Sequence, residues 1–204
     1  MRTTAIRRRV LAGATLLALA ALGSAAHAAP VLQVTNGTLM GADDVLVDGK
    51  LYDVRFVEGT CAEVFGACEV ERFEFQSAPS AHAAAAALIS TVFIDGPEGK
   101  FDTGNSSTFG CNDTFGVPFC SVWTPYDILG DLTFNAGAVN GFNRVPNSWE
   151  DVGVGYSYDT RGIKTAVWAR WTAVPEVRAE VPEPASLWLV GAALCGLALR
   201  RRSA

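Results

Sequence analysis

The chain has 204 residues, with 16 Lys and Arg against 21 Asp and Glu and a formal net charge of −5. Seven of the basic residues lie at the two ends, so residues 30–183 carry 9 basic against 21 acidic side chains, a balance of −12. A body this acidic repels nucleic acid and anionic lipid, which excludes both as partners, and its length of about 150 residues fits one domain with one core.

The front of the chain is built in three steps. Arg7, Arg8 and Arg9 form a charged start, residues 10–22 an apolar run of mainly Leu and Ala, and Ala26-His27-Ala28 a small-x-small site. That order predicts a secretory signal peptide over residues 1–28. Signal peptidase is expected to cut between Ala28 and Ala29, because a cut one residue later would put Pro30 just past the scissile bond. The apolar run is short for an uncleaved anchor.

The body, residues 29–173, opens with a short strand at 31–34 and a turn at Asn36-Gly37. Residues 45–57 then alternate around Asp48-Gly49, a favoured two-residue hairpin turn. This register puts Val45, Val47, Tyr52, Val54 and Phe56 on one face, predicted to be core. It sets Asp44 opposite Asp53, with Arg55 diagonal to them and able to neutralise the like charges. Phe73 and Phe75, alternating with Glu74 and Gln76, predict another strand. Residues 79–90 are almost all Ala, with Pro79 in the first turn, and predict the one helix of the body. A strand at 92–94 is expected to end at Asp95-Gly96-Pro97, and a long polar loop fills residues 98–118. Strands resume at 121–126, 131–135, 152–158 and 164–172. The last puts Ala166, Trp168 and Arg170 on one face and Val167, Ala169 and Trp171 on the other. The fold class expected is α+β, a mainly antiparallel sheet with one Ala-rich helix.

Four cysteines lie in the body: Cys61, Cys68, Cys111 and Cys120. An even number in an exported chain predicts disulfides, and three connectivities exist. Cys61–Cys68 and Cys111–Cys120 are favoured, since each pair brackets a Gly-containing loop. Neither pair has the short Cys-x2-4-Cys spacing of a zinc site and no His lies close in sequence, so no metal and no cofactor are expected.

The search for chemistry yields no complete catalytic set. Asp102-Thr103-Gly104 has the signature of an aspartic protease half-site, but no second such triplet exists and the residues before it are a turn rather than an apolar strand. His82 is the one histidine of the body, it stands in the Ala-rich helix, and no Gly-x-Ser-x-Gly elbow accompanies it. The body is therefore expected not to be an enzyme, the alternative being a small secreted hydrolase led by Asp102. Asn36, Asn105 and Asn112 each begin an Asn-x-Ser/Thr triplet, read as loop residues. Trp123, Trp149, Trp168 and Trp171 are read as core, although aromatic faces also stack on sugar rings.

A linker over 174–181 leads to a three-part tail at 182–204. Pro182-Glu183-Pro184 comes first, residues 185–199 form an uncharged apolar run, and Arg200-Arg201-Arg202 ends it. As a helix the run would be about 22 Å long, short for a bilayer core of about 30 Å but able to cross if the arginines snorkel and the bilayer thins. Arginines at both ends of the chain favour the cytoplasm, which places the acidic body outside.

This tail resembles the PEP-CTERM sorting signal of Gram-negative bacteria, over residues 181–204. The resemblance implies recognition of Pro182, Glu183 and Pro184 by an exosortase, with Arg200, Arg201 and Arg202 as the terminal cluster. It implies transient anchoring in the inner membrane and then release to the outer surface or matrix. It also implies a structural or binding role linked to extracellular polysaccharide and biofilm. Residues 41–61 and the late Val-Trp-Ala-x-Trp resemble small proteins of the same kind, and no catalytic residue comes with that likeness.

Overall fold

Alternating apolar strands and tight Gly-containing turns build a single seven-stranded sheet in the computed structural model, which describes residues 29–111, 119–141 and 148–175. The chain divides into two units after Ala173, and everything below belongs to the first, Met1–Ala173. In chain order the strands are β1 (Val31–Thr35), β2 (Thr38–Val47), β3 (Lys50–Val57), a minor hairpin of β4 (Asp95–Gly96) and β5 (Gly99–Lys100), β6 (Phe119–Leu129), β7 (Leu132–Gly141), β8 (Ser148–Gly155) and β9 (Ala166–Ala173). The sheet order is β1-β2-β3-β9-β6-β7-β8. Every neighbouring pair is antiparallel except β6 and β9, which run parallel. The last strand thus occupies the middle of the sheet.

The first hairpin forms as the alternation predicts. Asp48 and Gly49 both take positive φ, 48° and 80°, as a mirror-image turn requires. Val45 faces Tyr52 and Val47 faces Lys50, and Val45, Val47, Tyr52, Val54 and Phe56 are all buried. The acidic face is corrected. The register shifts between Ala42 and Val45, so Asp43 and Asp44 together oppose Asp53 in a β-bulge. Asp44 turns to φ 58° and its backbone N–H donates to Asp53 Oδ1 at 3.2 Å. Arg55 neutralises Asp43 instead, through Nη2 to Oδ1 at 2.5 Å.

One face of the sheet is covered by the Ala-rich helix. α2 (Ala78–Ala87) starts at Ser77, whose hydroxyl accepts from the Ser80 N–H, and continues as one π turn over Leu88–Val92, giving 15 helical residues. Ala81, Ala84, Ala85 and Leu88 are buried, the i, i+3, i+4, i+7 stripe of a helix lying on a sheet. They pack with Val54, Val122, Ala136, Ala138 and Val167 in the main core. The other face buries Trp123, Trp168, Val64 and Phe73 in a smaller cluster. β9 feeds both, since Val167, Ala169 and Trp171 face the first cluster while Ala166 and Trp168 face the second.

Two predicted strands are absent. Phe73 and Phe75 are both buried between exposed Glu74 and Gln76, but this segment follows a 3-10 turn at Val70–Arg72 and has no ladder partner. The alternation is real because each Phe enters a different cluster. Residues 92–94 likewise end the π turn and lead into the β4–β5 hairpin. The body also has a second helix, α1 (Cys61–Phe65), fixed by a reciprocal cap in which the Thr60 hydroxyl accepts from the Glu63 N–H and Glu63 accepts from the Thr60 N–H. The later strands lie at the predicted places with shifted ends.

Both favoured disulfides are formed, Cys61–Cys68 and Cys111–Cys120, with Cα separations of 5.3 and 5.8 Å. The signal peptide with Ala28, the Asn112 triplet, residues 176–181 of the linker and the tail with Pro182, Glu183, Pro184, Arg200, Arg201 and Arg202 lie outside the described residues, whereas Ala29 begins them. Among the described residues no helix is long and apolar enough to cross a membrane.

Candidate functional site

The four body tryptophans do not share one fate. Trp123, Trp168 and Trp171 are buried, as the sequence suggests, and Trp149 on β8 is 49% exposed. β8 is an edge strand, and along it Trp149 and Asp151 are two residues apart and point to the same face of the sheet. That face also carries α2. His82 follows the buried Ala81 by one residue, at the margin of the helix stripe, and so reaches the β8 side chains.

The contacts are specific. The His82 ring stacks on Trp149 with centroids 4.3 Å apart and planes 28° apart. His82 Nε2 lies 2.7 Å from Asp151 Oδ1, and the ionised carboxylate fixes the proton on that nitrogen. Tyr126 on β6 donates its hydroxyl to the same oxygen at 3.2 Å and meets the His82 ring edge-on at 6.1 Å. The hydrogen bond from His82, with a smaller contribution from Tyr126, holds the Asp151 carboxyl below its usual range. Partial burial, and then the Asp151 charge, push the Tyr126 hydroxyl up. The result is an indole clamped from one side by a histidine that is itself fixed by a carboxylate and a phenol. About half of the indole stays open to solvent.

Chemically this is a platform with acceptors beside it. The indole offers an apolar face, and Asp151 remains 56% exposed and able to accept further hydrogen bonds. Among the described residues no serine or threonine hydroxyl bonds to His82.

Asp102 takes a different place. It is exposed, in the turn after β5. Asp95 organises this turn: its carboxylate accepts from the Asp102 and Thr103 N–H groups at 3.0 and 3.1 Å and from the Thr103 hydroxyl at 2.7 Å. Those bonds, the Thr103 hydroxyl first, hold Asp95 below the usual carboxylate range. Asp102-Thr103-Gly104 is thus a capped surface turn rather than a half-site in a cleft. Asn36 occupies the predicted turn at φ 50°. No group of three or more potential metal ligands occurs among the described residues.

The sequence missed the Trp149 cluster because its parts lie on three elements that are far apart in the chain. One signal was present: Trp149-Glu150-Asp151 places an aromatic and a carboxylate on one face of a short polar strand. Residues 180–202 match the PEP-CTERM protein-sorting motif. No curated protein and no solved structure matches the chain.

Proposed function

Starting from a chain that carries a PEP-CTERM protein-sorting motif and is thereby an exosortase substrate, sorted with the exported surface proteins of Gram-negative bacteria, we propose that the body is a non-enzymatic matrix protein that holds extracellular polysaccharide. In this reading signal peptidase removes residues 1–28 and the tail anchors the chain transiently in the inner membrane. The exosortase then acts near Pro182-Glu183-Pro184, and the body reaches the outer surface or matrix.

The observation that carries the binding role is Trp149, the one described tryptophan outside the core, held open by His82 and flanked by Asp151. The indole offers an open apolar face, and a sugar ring presents C–H groups to the indole and hydroxyls to the carboxylate. The His82–Asp151 pair is assigned to positioning the indole, not to hydrolysis.

The test is retention of the purified protein on exopolysaccharide from its host. Trp149→Ala is expected to weaken binding by about tenfold or more, the loss typical of an aromatic anchor, with only a small drop in melting temperature from the lost His82 stacking. Unchanged retention removes the platform reading. Release of new reducing ends from the polysaccharide by the wild-type protein, lost in Asp102→Asn, would instead restore the hydrolase alternative.

A further inference from the structure

A second feature shares no residue with the Trp149 cluster. β6 and β9 pair in parallel only from Ser121 opposite Ala166 to Trp123 opposite Trp168. Beyond that point Pro125 has no N–H to donate, and the two strands part at their carboxyl ends. The split opens a cleft of about 450 Å³, within the range of small-molecule sites. β9 is antiparallel to β3 on one side and parallel to β6 on the other, so the cleft opens between the carboxyl ends of the one parallel pair.

The cleft is lined by a particular set of charges. Trp171 and Thr124 form part of its wall and are locked together, Trp171 Nε1 donating to Thr124 Oγ1 at 3.0 Å. Arg72, Arg170, Glu74 and Phe65 also line it. Among the described residues Arg55 pairs with Asp43, and Arg161 pairs with Glu63 and Asp159. The guanidinium groups of Arg72 and Arg170 make no ion pair or hydrogen bond with a described residue, although the body is rich in carboxylates. Two guanidinium groups without an anion among the described residues therefore line the same cleft. Glu63 is a lining carboxylate too, but it is already occupied by Arg161 Nη2 at 2.6 Å and the Thr60 N–H at 2.9 Å.

We propose that this cleft is a binding site for a hydroxylated carboxylate, with Arg72 and Arg170 taking the carboxylate group and Glu74 accepting hydroxyls. A guanidinium presents a planar fork that matches a carboxylate, and binding supplies the two arginines with an anion that the described residues do not. Glu74 repels a plain dianion and rewards a ligand that brings O–H donors. A uronic-acid unit has both groups on one small ring and fits the cleft volume. The inference rests on the cleft alone and stands or falls separately from the Trp149 platform.

Titration calorimetry of the protein as its host processes it, with digalacturonate as the probe, tests the assignment. Digalacturonate is expected to bind about tenfold or more tighter than the neutral disaccharide lactose, the difference made by charge-assisted hydrogen bonds. Arg72→Gln and Arg170→Gln should each weaken it by about tenfold, with Arg72→Lys in between, while lactose is unaffected. Melting temperatures of the variants should match the wild type, because both side chains are exposed. Equal affinity for the acidic and neutral sugars overturns the proposal, as does a double variant that binds like the wild type. Tighter binding of galactose 6-phosphate than of digalacturonate overturns the carboxylate assignment.

Discussion

Asp95 shows how one carboxylate can fix a loop. Its oxygens accept from the Thr103 hydroxyl and from two backbone N–H groups, and these bonds depress its proton affinity. A group lowered on folding contributes stability that is fully present above its unfolded value. That contribution is lost as pH falls through the lowered folded value. Asp95→Asn should therefore speed amide exchange at Thr103 at neutral pH, and the difference from wild type should vanish in strong acid. Equal exchange at neutral pH would show that the turn is held elsewhere. Gly41 is the other residue under tight constraint. It sits at φ 148°, where a Cβ would lie 2.1 Å from the Val54 carbonyl oxygen. Gly41→Ala is expected to destabilise by about 2 kcal/mol or more, read from the denaturant midpoint. Neither constraint is visible in sequence, because each depends on a partner seen only after the chain has folded.

At the scale of elements, α2 divides what could be read from what could not. Its existence, and its start to within a residue, were legible from the Ala run and Pro79. Its buried face was not, because Ala stands on every side and gives no amphipathic contrast. The structure resolves it: Ala84 is fully buried against the sheet and Ala86 faces solvent. Ala84→Leu should cost about 1–3 kcal/mol by overpacking, whereas Ala86→Leu should be close to neutral. Comparable melting temperatures for the two variants would contradict the assigned face. The same reasoning explains the missing strand at Phe73 and Phe75. Alternating burial mimics strand pairing when an irregular segment drops side chains into two separate clusters. The first hairpin was legible in detail because its turn residues, Asp48-Gly49, and its alternation agree. Only the bulge at Asp43 and Asp44 escaped, since two adjacent aspartates give no sign of which is the extra residue.

Over the whole molecule, two short disulfides and one central strand do most of the closing. The Cys61–Cys68 and Cys111–Cys120 bridges span 7 and 9 residues. In the chain-entropy model each contributes about 2.5 kcal/mol, so reduction should lower the melting temperature clearly without altering the sheet seen by circular dichroism. The antiparallel character of the fold was legible, whereas the parallel β6–β9 contact was not, because no local pattern records which distant strand a segment will join. Trp149 escaped for a related reason: the other three body tryptophans are core, and only position separates it from them. The central place of β9 has a further consequence for transport. Half of the sheet, β1 to β3, and the other half, β6 to β8, are joined in the hydrogen-bonded ladder only through a strand that ends at Ala173. A chain threaded through a membrane from its front end therefore cannot knit its halves together until nearly all of the body has emerged. Completion of the fold then coincides with arrival of the sorting motif at the membrane, so a protease waiting there would meet a substrate that has only just become whole.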